Sequence, residues 1–267
     1  MKKLLFSLLV ILLFTSCQKQ ISTDNTQEEI AGVPANKKAK FTVCHYDAVT
    51  GTSKTIEVTK KALAGHLAHG DVQGNCSEVI TTICGKDWMV KNLDVSNYRN
   101  GDLIPEVIDP TVWAGLTTGA WCYYYNNSDN GTTYGKLYNW YAVNDSRGLA
   151  PAGWHVPTDA EWTTLENCLD AISPTGNVGG KMKETGTTHW TSPNTGATNS
   201  SGFTGLPGGL RYDVGSFFDV GCYGYWWSST EYDASNAWFR DLSCGRGTVG
   251  RSFFNKQNGF SVRCLRD

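Results

Sequence analysis

Long apolar runs are scarce in this sequence. The only one, Leu4–Phe14, is eleven residues broken by Ser7, well short of the roughly 20 that a helix needs to cross a hydrocarbon core of about 30 Å. Charge of one sign is lacking too: 23 Lys and Arg face 25 Asp and Glu, a net charge of -2. Such a chain has no field to draw in a phosphate backbone, so nucleic acid is not an expected partner. Charged residues of both signs make up only 18 %, which excludes a coiled coil and a wholly disordered chain. No pair of cysteines has CxxC spacing, so a zinc ribbon or a thioredoxin-like redox motif has no support. Nor does HExxH, GxSxG or a P-loop occur, which removes the commonest hydrolase and nucleotidase signatures. What the chain has instead is glycine, 29 of 267 residues, and aromatics at 12 %. It reads as sticky and turn-rich, and its length allows one large domain with a small companion.

Met1-Lys2-Lys3 followed by Leu4–Phe14 has the form of a secretory signal. The run closes in Leu13-Phe14-Thr15-Ser16-Cys17, which resembles the lipobox of bacterial lipoproteins, with Phe14 where Leu is commoner. That resemblance implies removal of residues 1–16, lipidation of Cys17 and a protein held to the membrane by lipid alone. Its expected address is the cell envelope, on the outer membrane, with the side it faces left open. Residues 17–40 hold Gln, Asn, Thr, Glu and Lys, with Ile21 and Ile30 as almost the only large apolar side chains. They cannot bury enough surface to offset chain entropy and read as a tether. The other cysteines, at 44, 76, 84, 122, 168, 222, 244 and 264, are even in number, and in an exported chain this favours disulfides, although 105 connectivities are open. Cys44 with Cys76 and Cys222 with Cys244 are the leading pairs because each flanks one local unit. Cys84 with Cys122 and Cys168 with Cys264 follow by elimination.

Residues 41–80 form a small module. Phe41-Thr42-Val43 and Lys54–Val58 alternate apolar with polar around Thr50-Gly51-Thr52, the pattern of a hairpin. A helix capped by Thr59 and ended by Gly70 is expected next. On it Leu63 and Leu67 share a stripe, and His66 and His69 share the neighbouring one. The stretch from Val43-Cys44-His45 through His66-Leu67-Ala68-His69-Gly70-Asp71 to Cys76 resembles a short module that recurs in secreted bacterial proteins. Two compatible readings follow. His45, His66, His69 and Asp71 can hold zinc or a similar ion, or the histidines hydrogen-bond the hairpin and turn while Cys44–Cys76 staples a core too small to stand alone.

The body is residues 81–267, which hold all ten tryptophans. Thr158 and Glu161 form a capping box ahead of Trp162, Leu165 and Leu169, which predicts a helix stopping before Ser173-Pro174. A second helix is expected from Tyr134 through Ala142. Ala120–Tyr125, Gly224–Ser228, Ala237–Leu242 and Gly259–Leu265 read as strands, with a long loop at Lys183–Ser201. The fold class is α+β: small twisted antiparallel sheets, a few helices and long loops. Lys86–Leu93, Tyr134–Val143, Gly153–Thr158, Gly224–Glu231 and Asn258–Cys264 together resemble the Fibrobacter succinogenes major paralogous domain. The family commonly has Cys-Pro before Gly-Trp-His, where this chain has Ala150-Pro151, which leaves the partner of Cys264 in question. More distantly, Val156–Trp162 and Gly259–Arg263 are similar to the formylglycine-generating sulfatase-modifying fold, a variant of the C-type lectin fold.

The formylglycine-generating resemblance implies an oxidase with two cysteines shortly before the closing Gly-Phe strand. Residues 246–258 contain none and Cys244 stands alone, so the thiolate pair that copper(I) requires is missing. A glycosidase would need two paired acids, but Asp159, Glu161, Glu184, Asp213, Glu231 and Asp241 are scattered without a distinguishing spacing. Recognition remains: a non-catalytic domain binding an extracellular glycan or surface protein through Trp226, Trp227, Glu231, Tyr232, Asn236 and Arg240. Against this, either tryptophan can be a core residue, and neighbours in a strand point to opposite faces. Lectin-like folds often bind calcium, for which Asp213, Asp219, Asp233, Asn236 and Asp241 are the available ligands. The alternative reading is a structural or assembly component of the envelope.

Overall fold

The alternating segments at the start of the small module pair over their full length. β1 (Lys40–Asp47) and β2 (Thr52–Thr59) are antiparallel with Val43 opposite Ile56, and Gly51 in the turn has φ +68. Thr59 caps α1 (Lys60–Ala68), accepting from the Ala62 amide. α1 buries no residue. Leu63 is half-buried and Leu67 is 39 % exposed, so the helix is held at its ends and not by an apolar stripe. β3 (Val72–Gln73) returns to the free edge of β1, and α2 (Cys76–Val79) leads out of the module. The structure, a computed structural model, describes residues 39–172 and 176–267. The signal segment, Cys17, nearly all of the tether and Ser173-Pro174 lie outside the described residues.

β4 (Ile80–Ile83) and β5 (Lys86–Met89) form the hairpin that opens the body. After α3 (Pro110–Ala114) and β6 (Trp121–Cys122) comes α4 (Ser128–Tyr134), then β7 (Leu137–Tyr138) and α5 (Trp140–Val143). The expected continuous helix over Tyr134–Ala142 is therefore replaced by a helix end, a strand and a new helical turn. Local chemistry explains the break: Gly135 has φ +73, a conformation that ends α4, and the Asn139 side chain accepts from the Ala142 amide to start α5. β8 (Trp154–His155) precedes α6 (Asp159–Ile172). Here the capping box forms as the sequence predicts: the Thr158 amide donates to Glu161 Oε2 at 2.8 Å and the Glu161 amide to Thr158 Oγ1 at 3.2 Å. Trp162, Leu165 and Leu169 are the buried face.

α7 (Val178–Met182) is followed by the long loop, and then β9 (Leu210–Arg211) and β10 (Phe217–Phe218) pair with each other. The loop's side chains pin it to the body. Trp190 is 1 % exposed, and the buried Lys183 ammonium donates to the carbonyls of Thr195, Ser243 and Arg246 at 2.8 to 2.9 Å. β11 (Tyr223–Glu231), β12 (Asn236–Ser243) and β13 (Gly250–Asn255) make a three-stranded antiparallel sheet. β14 (Leu265–Arg266) lies between β5 and β8, completing the order β4-β5-β14-β8. Ala120–Tyr125 and Gly259–Leu265 hold only short strands, but the latter bridges Arg211, Tyr138 and Trp226 as it crosses the interior.

Three bridges form: Cys44–Cys76, Cys84–Cys168 and Cys222–Cys244, with Cα separations of 4.6, 6.4 and 4.8 Å. All lie within the range disulfide geometry allows. The expected pairs Cys84–Cys122 and Cys168–Cys264 are thus corrected. Cys84 sits in the β4–β5 turn, beside Cys168 on α6. Cys122 is buried with Trp113, Tyr124 and Leu137, and Cys264 in a different cluster with Trp154 and Val262. Closing the loop between Cys84 and Cys168 is worth about 4.6 kcal/mol in the chain-entropy model. Cys122 and Cys264 are free thiols, and burial pushes each up to about 12. Neither is therefore expected to react with iodoacetamide at pH 8 until denaturant is added, when both should label, and non-reducing peptide mapping should recover a Cys84–Cys168 peptide. Labelling of either thiol in the native protein would contradict this packing.

Candidate functional site

The small module gathers its titratable groups at one point. His45 comes from β1, His66 from the last turn of α1, His69 from its C-cap, and Asp71 from the turn before β3. Asp71 Oδ2 lies 2.8 Å from His45 Nδ1, 2.7 Å from His66 Nδ1 and 3.0 Å from His69 Nε2. The three rings have centroids 5.3 to 5.7 Å apart. Burial opposes the charge on Asp71, but the Tyr46 amide, donating to Oδ1 at 2.9 Å, and the His45 and His66 rings outweigh it and hold the carboxyl below its ordinary value. Gly70 makes the turn: its φ is +96, and a Cβ there would meet the Ala152 carbonyl at 2.1 Å. Its own carbonyl accepts from Trp154 Nε1 at 2.8 Å, seating the module on the body. Module and body belong to one compact unit, Lys38–Asp267. A cleft of about 670 Å³ opens beside the seat, lined by Asp71, Leu67 and Val79 on one side and Leu93, Tyr98 and Leu149 on the other.

The residues expected to bind ligand divide into two groups. Trp226 and Trp227 are 1 % and 0 % exposed. They point to opposite faces of β11, Trp226 toward Trp162 and Leu242 and Trp227 toward Phe239 and Phe260. Both faces of the sheet are covered, which is why adjacent tryptophans are both core. Arg240 is also buried, at 1 %. It donates to Glu166, to Asp159 Oδ1 at 2.7 Å and to Thr163 Oγ1 at 3.0 Å, pinning β12 to α6. These three are structural and are withdrawn as ligand contacts.

Glu231 and Tyr232 remain at the surface, and Asn236 is half-buried with its amide on the Asp233 carboxylate at 3.0 Å. Around them the structure adds residues that spacing did not single out. Tyr232 stacks on Phe253 with centroids 3.8 Å apart, Trp238 meets both edge-on, and the Arg251 guanidinium lies 3.7 Å from the Trp238 ring. Tyr232 is 45 % and Phe253 42 % exposed. The missed signal is cross-strand: Trp238 and Phe253 are direct partners in the β12–β13 register, which no single segment reveals.

Five of the six acids considered for hydrolysis are engaged separately: Asp159 with Arg240 and Arg251, Glu161 with His155 at 3.0 Å, Glu184 with His189 at 2.8 Å, Glu231 with Lys256 at 3.2 Å, and Asp241 with Arg246. The proposed calcium ligands are also divided, Asp219 accepting from the Tyr225 hydroxyl and Asp233 capping its own turn. Among the described residues His45, His66, His69 and Asp71 are the one group of three or more such donors gathered tightly enough for an ion. Gly245-Arg246-Gly247-Thr248-Val249-Gly250 has dinucleotide-motif spacing, but it joins β12 to β13 without a helix, so it lacks the strand-to-helix turn that motif requires.

The chain matches the Fibrobacter succinogenes major domain over residues 81–266. It belongs to that family. No curated protein and no solved structure matches it. The major domain thus begins inside β4 and includes the sheet, its aromatic edge and the closing segment, while the His and Asp cluster lies ahead of it. Ala150, standing where the family pattern has cysteine, is buried in the same cluster as Cys264, in keeping with a thiol left single.

One electrostatic knot supports the aromatic edge of the major domain. Asp159 accepts from Arg240 at 2.7 Å and from Arg251 at 2.8 Å. Burial disfavours its charge, but the hydrogen bonds from Arg251 and Arg240 more than reverse this and hold its carboxyl below the free value of 3.8. A depressed native pKa stabilises the fold above the unfolded value, and the contribution is lost as pH falls through the native one. Asp159→Asn should therefore cost about 2–4 kcal/mol, because it leaves buried Arg240 with one carboxylate. In urea titrations at several pH values, the gap between parent and variant should be full well above 3.8 and close on further acidification. A gap independent of pH would show that the carboxylate charge is not what matters.

Proposed function

We propose that this protein is a lipid-anchored envelope protein whose major domain binds an extracellular ligand, a glycan or a surface protein, without catalysis. The observation that carries the reading is the exposed aromatic edge formed by Tyr232, Trp238 and Phe253 with Arg251 and Glu231. Rings that remain at the surface offer flat apolar faces to sugar rings, and the neighbouring charges and amides suit hydroxyls. A binding role without chemistry is favoured by the cysteines and acids. Cys244 is bridged to Cys222, the two free thiols are buried and held protonated, and five of the six candidate carboxylates are committed to separate partners. Among the described residues no helix is long and apolar enough to cross a membrane, and the anchoring reading rests on the Cys17 motif alone.

Two outcomes are expected. On a glycan array the major domain in the full chain should give a specific signal that Tyr232→Ala reduces tenfold or more, while costing about 1 kcal/mol of stability, the worth of one exposed ring pair. Binding that survives Tyr232→Ala and Phe253→Ala together would move the ligand away from this edge, with the cleft beside Asp71 as the next place to test. Separately, Cys17→Ala should release the protein from the membrane fraction with its melting temperature unchanged. A variant that stays with membranes after a salt wash would exclude lipid as the anchor.

A further inference from the structure

We infer that the small module is a binding site for a tetrahedral divalent transition ion of the zinc type, held by His45 Nδ1, His66 Nδ1, His69 Nε2 and Asp71 Oδ2. The four atoms all lie within 4.8 Å of one another. In a tetrahedral site with metal–ligand bonds of about 2.0–2.1 Å, ligand atoms are about 3.3 Å apart. His66 Nδ1 and His69 Nε2 are separated by 3.4 Å, and the Asp71 oxygen lies 2.7 to 3.0 Å from the three nitrogens. Drawing the donor atoms, now up to 4.8 Å apart, together to that spacing by small rotations of the rings would turn this arrangement into a coordination sphere.

Hydrogen bonding alone accounts for the cluster poorly. Three ring nitrogens converge on a single carboxylate oxygen, although the other oxygen receives one amide and has room for more. An ion at the common centre takes one lone pair from each neutral imidazole and one from the carboxylate, with every ring proton on the far nitrogen. Its two positive charges then meet one negative charge, where three N–H groups would otherwise crowd one oxygen. Two-imidazole or all-oxygen chemistry does not fit: calcium and magnesium need six or more oxygen ligands, and this set offers one. Nitrogen with a single carboxylate selects zinc and its neighbours in the first transition row.

The scaffold is built in advance for such an ion. Cys44, next to His45, is bridged to Cys76, so the segment carrying all four donors is already a closed loop and the ion pays little further chain entropy. The Tyr46 amide on Asp71 Oδ1 fixes the carboxylate from behind, as outer partners of metal ligands commonly do. α1 buries no residue of its own, and the ion would join its C-terminal end to β1 and to the turn seated under Trp154. Four protein donors fill a tetrahedron and leave no open position, so the role is to fix the module in place and not to activate water.

The test uses the full chain, stripped with a chelator and titrated with zinc alone. Calorimetry should give one equivalent per chain, and the melting temperature should rise with zinc concentration. X-ray absorption of the zinc-loaded parent should show three imidazoles and one oxygen at about 2.0 Å. That measurement needs no variant, so it holds even if a substituted module fails to fold. His66→Ala and Asp71→Asn should each weaken binding tenfold or more, a loss at least as large as that from removing outer partners. No uptake at stoichiometric excess, sulfur in the first shell, or unchanged affinity in both variants would each overturn the assignment.

Discussion

A guanidinium with no ion-pair partner among the described residues organises the interior. Arg263 is 1 % exposed and spends its N–H groups on the carbonyls of Met89 and Phe203 and on Asn92 Oδ1, the last two bonds from Nε and Nη2 at 3.2 and 2.9 Å. Burial works against its charge, and carbonyl dipoles from two distant segments compensate. Asn92 Oδ1 also accepts from Trp226 Nε1 at 2.8 Å, so the same oxygen joins the central sheet to the closing segment. Phe260, Val262 and Cys264, alternating with Ser261 and Arg263, are all at 0 % exposure. This short stretch contacts three of the sheets, through Tyr138, Trp226 and Met89.

The central sheet shows how such an interior limits function. With α6 over one face and the Phe260 cluster under the other, the strand positions that look most like a sugar platform are already occupied. Trp226, Trp227 and Arg240 supply core packing and a buried ion pair, while Tyr232 and Phe253 stay at the surface. Trp238 and Arg240 occupy the same side of β12 two residues apart, one half-exposed and one buried. Position along the strand, and not residue type, separates the half-exposed residue from the buried one here.

Much of the local structure was legible because it is written in short-range chemistry. The Thr158–Glu161 capping box, the Thr59 cap, the hairpin around Gly51 and the convergence of His66 with His69 all depend on residues within a few positions of each other. Cys44–Cys76 and Cys222–Cys244 likewise close single supersecondary units. What could not be read depends on tertiary placement. Leu137 and Tyr138 carry helical spacing but belong to a strand, because Gly135 and Asn139 break the helix on either side and Tyr138 is drawn into the core at 0 % exposure. Cys84 pairs with Cys168 only because the β4–β5 turn lands on α6. The stack of Tyr232 on Phe253 requires the register of a hairpin whose turn has no strong sequence signature.

The position of the closing segment has a further consequence for how the molecule is made. Arg263 reaches partners 171 and 174 residues earlier in the chain, so the core cannot shut until nearly the whole body is free to collapse. Until then Cys122 and Cys264 are ordinary accessible thiols among six others that must find their proper mates. In an oxidising compartment, every second of delay in seating residues 259–266 is time in which Cys264 can capture the wrong cysteine. Once Phe260 and Arg263 are in place, Cys122 and Cys264 are both buried, and the other six described cysteines stand in their three bridges.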